Sequence, residues 1–118
     1  MNWLNPANRK AFSEDALCGI PFTNNAFYAL FSIYKKATAR NWAQTITKSF
    51  PFLFVSGQND PIGDFGKGVT KTVGSLKLDG FKNVDMKIYP EMRHEILNEE
   101  IRENVLNEIH QWILKLLK

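Results

Sequence analysis

The chain has 118 residues, 44% of them hydrophobic and 23% charged, which is the composition of one globular domain and excludes a disordered tail. The net charge of +3 is lopsided: residues 1–48 carry six Lys or Arg against two acids, and residues 49–118 carry nine against ten. The bases Arg9, Lys10, Lys35, Lys36, Arg40 and Lys48 form no stripe, so nucleic acid is not an expected partner.

Taken in chain order, Asn5-Pro6 offers a first helix start, with Asn5 as N-cap and Pro6 at a position where its missing N–H does no harm. Cys18-Gly19-Ile20-Pro21 breaks it. Asn24 or Asn25 can cap a second helix running to about Arg40, with Phe27, Leu30, Phe31 and Tyr34 at helical spacing. Trp42 to Ser49 reads as a short helix or turn. After Phe50 the pattern changes. Pro51 to Ser56 is a short apolar run, the signature of a strand buried on both faces. Gly66 to about Leu78 reads as a helix with Val69, Val73 and Leu76 on one side and Asp79-Gly80 as its stop. Asn83 to Tyr89 alternates, with Val84, Met86 and Ile88 on one face, and Pro90 ends it. A last helix is expected after Asn98 as its cap, with Ile101, Val105, Ile109, Trp112, Ile113, Leu116 and Leu117 as one apolar face. Strand, helix, strand, helix implies an α/β fold with two parallel strands.

Parallel strands send their following loops to the same edge of the sheet, where ligands and catalytic groups gather in open α/β folds. The first loop holds Asp60, biased toward extended backbone by Pro61; the second holds His94. A carboxylate that fixes a histidine tautomer, and a histidine that takes a proton from a hydroxyl, is an acid–base arrangement of nucleophilic catalysis. Taken singly, an Asp before Pro is a common turn former and a His before a helix is commonly just solvated.

The two loops also carry a resemblance. Phe52-Leu53-Phe54-Val55-Ser56-Gly57-Gln58-Asn59-Asp60-Pro61-Ile62-Gly63 and Arg93-His94-Glu95-Ile96-Leu97-Asn98-Glu99 resemble the acid and histidine loops of the lysophospholipase and monoacylglycerol-lipase-like α/β hydrolases of the serine aminopeptidase type. The resemblance implies Asp60 as triad acid and His94 as triad base, with a lipid or other small ester as substrate. It extends more weakly to residues 1–48, a remnant of the helical cap, ahead of a catalytic portion at 49–118. Arg93 and Glu95 are expected to shape the histidine loop by ion pairing.

No Gly-x-Ser-x-Gly is present; Ser13, Ser32, Ser49, Ser56 and Ser75 all lack the flanking glycines of a nucleophile elbow. The chain is therefore expected to be the C-terminal half of a hydrolase, a partial α/β-hydrolase fold that is inactive by itself. The alternative is a catalytically inactive remnant whose property is self-association, because two strands leave open edges and an uncovered apolar face. Either a homo-oligomer or a missing N-terminal half is the expected partner. Gly63, Gly66 and Gly68 around Lys67 do not make a phosphate loop, since Pro61 stands where its first glycine belongs. The aromatic residues of the second helix suit an acyl pocket or a packing interface. The single Cys18 excludes an intrachain disulfide, and neither His94 nor His110 has zinc-ligand spacing, so no metal or cofactor is expected. Without a membrane-length apolar run or a signal-peptide pattern, a cytoplasmic location is expected.

Overall fold

The structure, a computed structural model, describes residues 5–118; residues 1–4, the start of the expected cap remnant, lie outside the described residues. Its elements are α1 (Pro6–Glu14), α2 (Asn24–Ala37), β1 (Phe52–Gly57), α3 (Lys67–Leu78), β2 (Val84–Tyr89), a 3-10 turn (Ile96–Asn98) and α4 (Arg102–Leu116). β1 and β2 are parallel, with Phe52 opposite Val84 and Gly57 opposite Tyr89.

The pleat sorts the strand residues between two helices. Phe52, Phe54 and Val84 pack with Val69, Val73 and Leu76 of α3 and with Phe81, and Ala43 and Ile46 join the same cluster from the segment before β1. On the opposite face Val55 and Tyr89 pack with Val105 and Ile109 of α4 and with Met92, Ile96 and Ile101. Each helix has one fully buried anchor, Leu76 in α3 and Val105 in α4. Burying such a side chain contributes roughly 1.5–3 kcal/mol. Polar contacts seat α4 more closely: Trp112 Nε1 donates to Asp85 at 2.7 Å, and the Tyr89 hydroxyl donates to Glu108 at 2.7 Å.

Several local expectations are corrected. The oxygen that caps α2 belongs to Thr23, one residue before the two asparagines, and accepts from the Ala26 N–H at 3.2 Å; the helix ends at Ala37, short of Arg40. Of the two alternatives for segment 42–49, helix or turn, the structure has the turn. Asn98 does not cap α4, which starts at Arg102 after Ile101; its side-chain amide donates to Glu95 instead, at 3.0 Å. With only two strands among the described residues, β1 is half-buried over Phe52–Val55 rather than buried on both faces, and Met86 is exposed. The apolar face of α4 is also covered only in part: Val105 is buried and Trp112 half-buried, while Ile113, Leu116 and Leu117 are exposed.

α1 and α2 differ in how they attach. The Asn5 N–H donates to the buried Glu99 carboxylate at 3.0 Å, and the Asn8 amide donates to the Asn98 carbonyl, so α1 is tied to the segment that follows His94. α2 buries none of its residues, and Phe27, Tyr28, Leu30, Phe31, Ile33 and Tyr34 are all exposed.

Candidate functional site

The loops after β1 and β2 leave the same edge and are sewn together there. The Gln58 N–H donates to the Tyr89 carbonyl at 2.9 Å and the Asn59 N–H to the Met92 carbonyl at 2.8 Å, which continues the ladder beyond the strands. Gly57 makes this possible, because a Cβ at that position would collide with the carbonyl oxygens of Arg93 and Met92. The histidine loop turns through Glu91 in left-handed conformation (φ 61°), and the acid loop returns to α3 through three consecutive left-handed residues, Asp64, Phe65 and Gly66.

This sewing brings Asp60 and His94 together. The Asp60 carboxylate is buried and uses both oxygens: Oδ1 accepts from the Ile62 N–H at 2.9 Å, and Oδ2 lies 2.9 Å from His94 Nδ1. A carboxylate only accepts, so the proton of the second bond belongs to Nδ1, and in the neutral ring Nε2 is then the basic nitrogen. His94 keeps 40% of its side chain accessible against 7% for Asp60, the arrangement of a held acid and a presented base. Gly63 lies against the pair, where an added Cβ would stand 3.1 Å from Asp60 Oδ2. Beside them is an open recess of about 400 Å³, lined mainly by Val55, Ile62, Val69, Ile96 and Leu97, with Ser56 also in its lining. That volume is in the range of small-molecule sites, roughly 300–1,000 Å³. Ser56 does not act as a presented hydroxyl; it is buried and its Oγ donates to the Gly57 carbonyl at 3.4 Å.

Arg93 and Glu95 do not pair with each other among the described residues: Glu95 accepts from Asn98, and Arg93 Nε is buried without a hydrogen-bond partner. Sequence reasoning passed over Gly57, Asn59 and Glu99. A glycine closing an apolar strand was the available signal for the first. Asn59 and Glu99 carried none, because a main-chain bond to a distant loop and the burial of one glutamate in a Glu-Glu pair are tertiary facts. No group of three or more His, Cys, Asp or Glu is placed to hold a metal ion, and no helix is long and apolar enough to cross a membrane, among the described residues.

No curated protein matches the chain. Among solved structures it is similar to a lipase in its open form, with a TM-score of 0.84 and 27% identity. It is also similar to a highly thermostable carboxyl esterase from Bacillus coagulans in complex with glycerol, with a TM-score of 0.83 and 25% identity. Each match covers 94% of this chain but 36% of the other, so the chain spans about a third of the length of these relatives. The family described as serine aminopeptidase, S33 matches residues 3–101, most of the sequence. With that match, and with a strand–helix–strand–helix arrangement shared with an esterase and a lipase, the chain belongs to the serine aminopeptidase S33 family and forms part of an α/β-hydrolase fold.

Proposed function

We propose that the chain supplies the acid and base of a serine ester hydrolase acting on carboxylic esters of lipids, of lysophospholipid or monoacylglycerol type. Asp60 holds the His94 tautomer and stabilises the imidazolium; His94 Nε2 takes the proton of a serine hydroxyl and later gives it to the leaving alcohol. The serine and its oxyanion hole come from residues outside these 118, since no Gly-x-Ser-x-Gly stands within them. The observation that carries the reading is the 2.9 Å contact between His94 Nδ1 and a buried Asp60 carboxylate beside an apolar recess. The esterase and lipase neighbours support the ester class.

The test is a chimera in which this chain replaces the matching third of the Bacillus coagulans carboxyl esterase. Ester turnover is expected, and His94→Ala should lower it by roughly 10³-fold or more. A chimera whose turnover survives His94→Ala would sink the assignment. Proton NMR of the 118-residue chain gives a second readout. The low-field Nδ1 proton of protonated His94 should be visible and should vanish in Asp60→Asn; its persistence in that variant counts equally against the pairing.

A second reading, an inactive self-associating module, is favoured by one specific observation, the exposed apolar surface of α2 and of the sheet.

A further inference from the structure

His94 sits on a loop, so its ring keeps its place only if the backbone on both sides is fixed. Toward β2 the sheet edge does this, through the Asn59 N–H and the Met92 carbonyl. Beyond His94 the chain runs through the 3-10 turn Ile96–Asn98 and enters α4 at Arg102. The bonds from the Asn98 N–H to the Glu95 carbonyl and from the Arg102 N–H to the Glu99 carbonyl shape this stretch without locating it. Ile96 seats it against Tyr89 and Val105. Two further ties reach it from α1, 94 and 90 residues away in sequence. Glu99 is 6% exposed and its Oε2 accepts from the Asn5 N–H at 3.0 Å. Burying a carboxylate is unfavourable unless such bonds satisfy it, so Glu99 is fitted to the start of α1. Asn98 carries the second tie inward: its carbonyl accepts from the Asn8 amide, and its own amide donates to Glu95, the neighbour of His94.

We propose that Glu99 is a positioning residue for His94: by accepting from the Asn5 N–H it clamps the segment after the histidine to α1, and this clamp keeps the ring within reach of Asp60. The assignment rests on the reading of His94 as the base. Asp60 holds one ring atom, Nδ1, and a single bond leaves the ring free to pivot. With 40% of its side chain accessible, His94 gains little restraint from packing. Nε2 is therefore aimed at a hydroxyl only while the backbone is also held, and a misplacement of about 1 Å costs roughly 10²-fold in rate. The clamp makes α1 part of the site geometry although none of its residues touches the acid–base pair.

Two arms test this. In the 118-residue chain, Glu99→Ala should broaden or abolish the low-field Nδ1 proton of protonated His94 in samples that circular dichroism shows to be folded. Asn5→Pro keeps the test decisive if Glu99→Ala fails to fold: it removes the N–H that Glu99 accepts, at a φ of −61° that proline shares. It should weaken the same proton, whereas Asn5→Ala, which loses the α1 cap but keeps the N–H, should retain it. In the esterase chimera Glu99→Ala should lower kcat by roughly 10-fold to 10²-fold and leave KM within about twofold. A proton of wild-type intensity in folded Glu99→Ala or in Asn5→Pro overturns the proposal, because Glu99 would then anchor α1 alone. Equal loss in Asn5→Ala and Asn5→Pro does so too, since the cap would be responsible. So does a chimera in which only KM changes. The two readings fail separately: a parent chimera without turnover counts against the hydrolase assignment, while the proton signal still decides whether the clamp holds the pair.

Discussion

Gly57 lies where the histidine loop crosses the end of β1, and a methyl group there meets the Arg93 and Met92 carbonyl oxygens. Backbone cannot step aside as a flexible side chain does, so Gly57→Ala has to push the whole loop outward. We expect a cost of about 1–3 kcal/mol, the usual range for overpacking a close contact, read as a lower urea midpoint. The displacement should also separate His94 from Asp60, so the low-field imidazole proton should weaken in this variant. A wild-type midpoint with that proton retained would show that the loops are less tightly seated than the geometry indicates. Asp60 and His94 themselves were legible in the sequence because both follow strands and both carry recognisable neighbours. Their neighbours' partners were not: Arg93 and Glu95 sit two apart and read as an ion pair, yet Glu95 is taken by Asn98.

Among the elements, the contact of β2 with α4 has the clearest electrostatic signature. Burial, then the hydrogen bond to Glu108, then the charge of Glu108 push the Tyr89 hydroxyl from 10.0 up to about 12. The same bond is the main reason the Glu108 carboxyl is held below its ordinary value, with Lys87 adding to it. A group whose pKa is raised on folding stabilises the fold fully below its unfolded value and loses that contribution as pH rises through the folded one. Tyr89 should therefore withhold tyrosinate absorbance until about pH 12, and stability should fall between 10 and 12. Glu108→Gln is expected to move the transition only part of the way back, because burial is the larger cause. A Tyr28→Phe/Tyr34→Phe background isolates the signal in an ultraviolet titration. A return all the way to 10 would mean that Glu108 and not burial governs the shift. Element identity was readable from period and punctuation, and so was the Asn5 cap of α1, whose side chain accepts from the Ala7 N–H, but the caps of α2 and α4 were not. Thr23 and Asn24 are both good caps, and only the observed start of α2 selects the threonine. Burial of α4 was overestimated because an apolar face says which side seeks cover, not whether enough sheet is present to provide it.

As a whole molecule the chain is two small cores set back to back on two strands, with an acid and a base at one end and no nucleophile elbow among its 118 residues. Removing a nucleophile abolishes covalent catalysis whatever its partners retain. We expect the chain alone to hydrolyse a nitrophenyl ester no faster than background; turnover that disappears with His94→Ala would overturn this. The strand pair is closed at both ends, and the closures have one length. At the entrance the Asn83 amide donates to the Ser49 carbonyl across 34 residues; at the exit His94 meets Asp60 across 34 residues. Loop-closure entropy grows only slowly with length and is largely spent once the first of two overlapping loops has shut. The acid–base pair therefore assembles as a by-product of a single crossover, and its geometry is a property of one short, sequence-local unit that travels intact into whatever larger sheet receives it.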